Sequence, residues 1–242
     1  MKRILTALLG LFLIGDAMAD EASLRKQIEA TYPKVQVTSI VKTPYGGLYE
    51  VFLGGEIIYT DEKFTFFIAD GHLLDTKTKS DITAARLAEL TKVDFSSLPL
   101  EKAIKVVKGN GSRKIAVFSD PDCPFCKRLE QNELSKIDNV TIYTFLYPID
   151  QLHPDASNKS KVIWCAEDRS KAWTDWVVNG QLAKNANTCP TPIDDIAALA
   201  KKLGVASTPT LIFADGHRML GAYPAEEIEK AMAGNNSDSQ KK

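Results

Sequence analysis

The chain has 242 residues with 30 basic and 31 acidic side chains, for a formal net charge of −1 at pH 7. It contains no basic block that would bind a phosphate backbone, which excludes nucleic acid as an expected partner. The apolar fraction of 44% supports a packed core, and the length suits one small and one medium domain.

The first 19 residues have the pattern of a secretory signal peptide. Lys2 and Arg3 precede an apolar run from Ile4 to Ile14, and Ala17-Met18-Ala19 has the form of a signal-peptidase site. We expect cleavage after Ala19 and export into a bacterial periplasm. An uncleaved anchor is the alternative, although a membrane span needs about 20 apolar residues and this run is shorter.

Residues 20–76 have the pattern of a small domain with a helix on an antiparallel sheet. Leu24, Ile28 and Tyr32 recur every four residues before Pro33, which predicts a short amphipathic helix. Four strand-like runs follow: VQVTSIV, LYEVFL, EIIYT and FTFFI. Residues 77–99 then gain a helical stripe of apolar positions, which predicts a linker helix between two domains.

Residues 100–234 follow a different order of elements. The runs AIKVV and KIAVF flank Lys108-Gly109-Asn110-Gly111, which predicts a β-hairpin. A helix, the apolar strand VTIYTFL, a helical insertion over about 156–200, and a final strand, strand and helix are predicted next. The expected fold class is α+β, with residues 235–242 as a disordered tail.

Two of the four cysteines, Cys123 and Cys126, are three positions apart where a predicted strand leads into a helix. The unpaired N–H groups of a helix N-terminus stabilise a thiolate, so we expect Cys123 to attack disulfides and the more shielded Cys126 to resolve the product. A zinc site and a purely structural bond are the alternatives. Structural zinc sites usually bring two close-spaced pairs, and so short a disulfide loop restricts the unfolded chain little.

The other two cysteines, Cys165 and Cys189, are 24 positions apart in the predicted helical insertion. Neither has a resolving neighbour, and an exported chain meets an oxidising compartment. A stabilising disulfide is therefore the favoured interpretation, with a second redox centre as the alternative. Pro209, which follows Thr208 and precedes an apolar strand, is either an ordinary strand-edge residue or part of the site.

Several other side chains that could be functional are not expected to belong to the active site. Trp164, Trp173 and Trp176 share helical spacing and are interpreted as core packing rather than a ligand site. His153 is expected to lie outside the active site. His217 follows an Asp-Gly turn and is expected to be exposed.

The order of these motifs resembles the thioredoxin superfamily and, over the whole mature chain, the periplasmic disulfide isomerases of the DsbC and DsbG type. The segments that carry the resemblance are FSDPDCPFCKRLE (118–130), IWCAED (163–168) and GVASTPTLIFADG (204–216). The resemblance implies that Pro209 is cis and lies against the cysteine pair, and that the Thr208 backbone hydrogen-bonds an extended substrate. It also implies that the N-terminal domain dimerises around an apolar cleft.

Two positions depart from better-known members of the superfamily. Val117 stands where a thioredoxin-like reductase carries a buried acid, which agrees with the isomerase branch and leaves the proton acceptor for the cysteine pair unidentified. Pro124-Phe125 differs from the Gly-Tyr of the best-known DsbC proteins and comes closer to the Pro-Tyr of DsbG-type chains.

The resemblance implies a homodimeric thiol-disulfide isomerase that acts on misfolded or wrongly bonded exported proteins. It implies a membrane electron donor of the DsbD type and a reaction that needs no cofactor, because the sulfur atoms carry the chemistry. Three other functions stay open: a DsbG-like reductase of sulfenylated cysteines, a net thiol oxidase, and a holdase chaperone.

Overall fold

The computed structural model describes residues 15–234, which divide into two compact units between Leu90 and Thr91. Most of the predicted signal peptide, residues 1–14, lies outside the described residues, as does the predicted tail over 235–242. Among residues 15–234, no helix combines the length and the apolar character needed to cross a membrane. Helices and sheets are mixed in both units, in agreement with the expected α+β class.

The first unit is a four-stranded antiparallel sheet whose strands pair in chain order. Its elements are α1 (Gly15–Thr31), β1 (Val37–Lys42), β2 (Tyr49–Leu53), β3 (Glu56–Thr60), β4 (Phe67–Ile68) and α2 (Ile82–Leu90). Successive side chains of a strand point to opposite faces. Val51 accordingly packs with Leu24 and Ile28 of α1, whereas Phe52 packs with Leu87 of α2, so each face of the sheet is covered by a helix.

The helix α2 is shorter than the linker helix predicted over 77–99. It begins where the Asp81 side chain accepts a hydrogen bond from the Ala84 N–H at 2.8 Å, which is a helix cap. Beyond Leu90 the Val93 N–H donates to the carbonyl oxygen of Gly216 at 3.0 Å. This non-helical hydrogen bond replaces the one that a continuing helix would require.

The second unit is a five-stranded sheet with helices on both faces. Its strands are β5 (Ile104–Lys108), β6 (Arg113–Ser119), β7 (Val140–Leu146), β8 (Thr210–Phe213) and β9 (Arg218–Leu220). Its helices are α3 (Pro124–Arg128), α4 (Ala156–Trp164), α5 (Arg169–Asn179), α6 (Ile193–Leu203) and α7 (Ala225–Gly234). The strand order is β5-β7-β6-β8-β9, and β6 pairs in parallel with β7 and antiparallel with β8.

The predicted hairpin between β5 and β6 is wrong, because β7 lies between these two strands and pairs with both. Two strands that flank a third are about 10 Å apart, a distance that the four residues from Gly109 to Ser112 can span. Gly109 and Gly111 adopt left-handed backbone angles with φ of 55° and 64°. The glycines therefore allow the chain to pass from β5 to β6 across the end of β7, and they do not form a tight turn between two paired strands.

The central strand β6 is buried on both faces and carries the chain to the cysteine pair. Ile115 and Val117 pack with Leu129, in the helical turn that follows α3, whereas Ala116 and Phe118 pack with α6 on the other face. All four of these strand residues are fully buried. The end of β6 is thus held firmly from both sides of the sheet.

Candidate active site

The cysteine pair lies at the junction of β6 and α3. Cys123 is the N-cap of α3, with the extended backbone angles φ −65° and ψ 120°, and Pro124 occupies the first helical position. Proline fits there because the first N–H of a helix has no partner inside the helix. Cys126 follows within the first turn, and both cysteines are free thiols in the structure.

The two thiols differ in burial and in acidity. Cys123 is 4% exposed and Cys126 is fully buried. A hydrogen bond from the Cys126 thiol, followed by the backbone N–H groups of Cys126 and Phe125, lowers the pKa of Cys123 to about 5. Desolvation, together with the negative charge and hydrogen bond of Cys123, raises the pKa of Cys126. At neutral pH the arrangement therefore pairs an outer thiolate with an inner protonated thiol.

The segment that contains Thr208 and Pro209 lies against Cys123. The peptide bond between these two residues is cis, and the Cys123 sulfur lies 3.5 Å from the carbonyl oxygen of Thr208. A hydrogen bond with the Thr208 side chain also lowers the pKa of Cys123. The carbonyl oxygen of Pro209 accepts the N–H of Gly221 at 2.8 Å, which ties this segment to the hairpin end after β9.

Asp120 and His153 also belong to the site. The prediction that His153 lies outside the active site is wrong, and the sequence carried no prediction for Asp120. The buried carboxylate of Asp120 accepts the Cys123 N–H at 3.2 Å and contacts the His153 Nδ1 atom at 3.0 Å. An aspartate three residues before the cysteine is a local signal for such a turn. His153 is 33 positions from Asp120 and carried no such signal.

Trp176 contacts the active-site loop rather than serving only as core packing. Its indole N–H donates to the carbonyl oxygen of Pro121 at 2.7 Å. The ammonium groups of Lys127 and Lys159 lie 4.6 and 4.9 Å from the centre of its ring, distances at which a cation and an aromatic face attract each other. Trp164 and Trp173 are buried in the core, as expected.

Comparison with known proteins agrees with this geometry in both units. The family described as "Disulfide bond isomerase protein N-terminal domain" matches residues 15–84, and the family described as "Thioredoxin-like domain" matches residues 100–234. A probable thiol:disulfide interchange protein DsbC of Bordetella pertussis is 44% identical over 214 residues, which cover 88% of this chain and 74% of the relative. The chain belongs to the DsbC family.

More distant DsbC proteins and a solved structure show the same relationship. The thiol:disulfide interchange protein DsbC of Escherichia coli K12 is 29% identical over 220 residues, which cover 89% of both chains. A crystal structure of a disulfide interchange protein from Neisseria gonorrhoeae is 46% identical. It matches with a TM-score of 0.55 and covers 57% of this chain and 98% of its own.

This DsbC-family chain has no carboxylate at the position of Val117, which is fully buried. The Ser119 hydroxyl, two residues further on, is buried without a hydrogen-bond partner inside the usual distance limits and lowers the pKa of Cys126 in opposition to burial. Glu130 is a carboxyl whose pKa is raised by desolvation, but it accepts its hydrogen bond from Trp173 at 3.0 Å. Ser119 is therefore a polar side chain close enough to the inner sulfur to favour its ionised form.

The DsbC-family chain also contains a disulfide between Cys165, at the end of α4, and Cys189, shortly before α6. Zinc was the rival interpretation for four converging cysteines. Among residues 15–234, no group of three or more His, Cys, Asp or Glu side chains is arranged to hold a metal ion. The two cysteine pairs thus lie in different environments, one bonded and one free.

Replacement of Cys165 and Cys189 together by alanine is expected to lower the free energy of unfolding by about 3 kcal/mol. The bond joins residues 24 positions apart, and a cross-link of that span restricts the unfolded chain. Urea unfolding of the wild type and the double variant, with Cys123 and Cys126 kept reduced, measures the difference. Equal midpoints would contradict the stabilising role, and loss of thiol exchange at full stability would favour a second redox centre.

Proposed function

We propose that this protein is a periplasmic thiol-disulfide isomerase that reshuffles wrong disulfides in exported proteins, with Cys123 as nucleophile and Cys126 as resolving thiol. The observation that carries the proposal is the geometry at the start of α3, where Cys123 is the N-cap beside the Thr208 carbonyl oxygen and Cys126 is fully buried. The pKa values of the two thiols shift in opposite directions in this arrangement. Family membership supports it, since the DsbC relatives are named thiol:disulfide interchange proteins.

The reaction begins with the Cys123 thiolate, which is the ionised form at neutral pH because its pKa is lowered to about 5. The thiolate attacks one sulfur of a substrate disulfide. A bond forms between Cys123 and that sulfur, the substrate S–S bond breaks, and the released substrate thiolate takes up a proton. The Thr208 carbonyl beside the Cys123 sulfur supports a role for this segment in holding an extended substrate.

The mixed disulfide can react in two ways, by isomerisation or by reduction. In isomerisation, another substrate thiolate attacks the substrate sulfur of the mixed disulfide, forms a new substrate disulfide and releases Cys123 as a thiolate, with no net change of oxidation state. In reduction, Cys126 loses its proton and attacks the Cys123 sulfur, so that the substrate leaves reduced and the two cysteines form a disulfide. Because burial raises the pKa of Cys126, reduction by this thiol is slow, which favours isomerisation.

The oxidised enzyme needs two electrons to return to its dithiol form. We assign this role to a membrane reductase of the DsbD type, and no cofactor takes part because sulfur atoms carry the electrons. The protein is proposed to work as a homodimer in the periplasm. The matched N-terminal domain family and the exposed apolar side chains on β4 support the dimer.

The test is recovery of a scrambled, inactive multi-disulfide enzyme by the fully reduced protein without added oxidant. Recovery is expected with the wild type and is expected to be lost with Cys123→Ser, because no other described thiol is free and ionised at neutral pH. Reduction of the scrambled enzyme without recovery of its activity would favour a reductase. Recovery by the Cys123→Ser variant would contradict the assignment of the nucleophile.

A further inference from the structure

The Asp120 carboxylate joins two loops at the active site. One oxygen accepts the backbone N–H groups of Asp122 and Cys123 at 2.8 and 3.2 Å, in the loop that leads into α3. The other oxygen accepts the backbone N–H of Ile149 at 2.7 Å and lies 3.0 Å from the His153 Nδ1 atom, in the loop that follows β7. Asp120 is fully buried, so these groups replace the water that would otherwise solvate its charge.

His153 provides the side-chain member of this set. Because a carboxylate oxygen accepts hydrogen bonds, the Nδ1 atom of His153 is the donor. The histidine side chain is 22% exposed and is held in place by its own backbone, since the His153 N–H donates to the Ile149 carbonyl at 2.9 Å. The ring therefore reaches Asp120 from a fixed turn and not from a freely moving chain end.

The charged side chains near Asp120 form ion pairs with one another and not with Asp120. Asp122 forms an ion pair with Lys159 of α4 at 2.7 Å, and Lys159 also contacts Asp155 at 3.4 Å. Of the cationic or ionisable donor side chains in the described part of the chain, His153 is the one that contacts Asp120. Its loss would leave one lone pair of a fully buried carboxylate unsatisfied, a defect that favours local rearrangement.

We propose that His153 is a positioning residue for thiol exchange: by donating to Asp120, it holds the carboxylate that fixes the Cys123 backbone at the N-terminus of α3. The inference rests on the proposed role of Cys123 as the nucleophile. The backbone N–H groups of Phe125 and Cys126 and the Cys126 thiol stabilise the Cys123 thiolate only when the sulfur is aligned with them. A loosened Asp120 turn would weaken this alignment.

The experiment compares His153→Phe, which removes the donor, with His153→Asn, whose amide nitrogen occupies nearly the position of Nδ1. The measured quantities are the Cys123 pKa, from thiolate absorbance in the ultraviolet, and the alkylation rate of reduced protein at pH 5. His153→Phe is expected to raise the Cys123 pKa by about one unit and to slow alkylation at pH 5 by about fivefold. His153→Asn is expected to retain wild-type values.

A second histidine supplies a matched control in the same unit. His217 also contacts an aspartate, Asp215, but it lies beyond Phe213, which pairs with Ile115 at the far end of β6 from Ser119. His217→Phe is therefore expected to leave the Cys123 pKa unchanged. His153→Ala removes the same donor without adding bulk and must give the same shift as His153→Phe.

A wild-type Cys123 pKa in both His153→Phe and His153→Ala would overturn the proposal. An equal shift in His153→Asn and His153→Phe would do so too, because ring packing and not the donor would then be responsible. Both readouts use the protein alone, without a protein substrate. A failure of the scrambled-enzyme test would therefore overturn the isomerase function without deciding the role of His153.

Discussion

Iodoacetamide is expected to alkylate Cys123 of the reduced protein at a rate that is already at its plateau at pH 7. Only the thiolate reacts, and the pKa of Cys123 is lowered to about 5, chiefly by a hydrogen bond from Cys126. An ordinary cysteine with a pKa of about 8.5 is only about 3% ionised at pH 7. The alkylation rate constant, measured from about pH 3.5 to pH 9, is therefore expected to have its midpoint near pH 5.

The matched control for this experiment is Cys126→Ala. In the wild type, the inner thiol stays protonated and unreactive because burial raises its pKa, so the measured rate belongs to Cys123. Loss of the Cys126 hydrogen bond is expected to move the midpoint upward by about one to two pH units. A wild-type midpoint near pH 8.5, or no shift in the variant, would contradict the assigned cause.

The same lowered pKa also makes the stability of the reduced protein depend on pH. The folded state holds Cys123 as a thiolate at pH values where the unfolded chain still binds the proton, so folding becomes more favourable as pH rises from 5 towards the unfolded pKa. The gain between pH 5 and pH 7 is expected to be about 2 kcal/mol. Cys123→Ser lacks this contribution, and the difference between the two unfolding curves isolates it from other titrating groups.

The strands of the first unit were predicted well from the sequence because their signals are local. Each of the four strand-like runs overlaps a strand, and a turn that needs glycine separates β2 from β3. The register of β2 also follows from alternation, since Val51 and Phe52 face different helices. Local periodicity is sufficient where neighbouring elements in the chain are also neighbours in the sheet.

The errors arise where contacts join distant parts of the chain. The run before Gly109 was paired with the run after it, yet β7, some 30 residues later, takes the place between them. In the same way, the cysteine pair has a local pattern, whereas His153 reaches the site only because β7 returns beside β6 and places the next loop against Asp120. The spacing of residues in a single sequence does not predict a contact between residues so far apart in the chain.

If the protein is the homodimer proposed above, replacement of Phe66 and Ile68 by lysine is expected to convert it to a monomer. These side chains are 48% and 41% exposed, and they lie beside Phe67, which is 46% exposed. Within residues 15–234, β4 pairs with β3 on one side and with no strand on the other. An apolar edge strand with free hydrogen-bonding groups is suited to join a second copy, and charged residues on an edge oppose such pairing.

The double variant is chosen to preserve the first unit itself. Phe67 keeps its stacked contact with Phe64, whose ring centre is 5.9 Å away, and neither replaced side chain is buried. Leu74→Lys is the matched control, because it adds a charge at a side chain that is 61% exposed and lies outside the apolar segment 66–68. Light scattering gives the mass of each protein, and thermal unfolding shows whether the fold is kept.

The lysine variant is expected to keep the thiol reactivity of Cys123 but to lose isomerase activity. The Cys123 environment is built from residues of the second unit, so the alkylation midpoint is expected to stay near the wild-type value. Recovery of scrambled enzyme is expected to fall sharply if the proposed homodimer holds a misfolded chain between its two active sites, because a monomer has only one active site. If the lysine variant remained dimeric, the β4 edge would not be the interface. If it became monomeric with full isomerase activity, the proposed dimer would not be needed for the reaction.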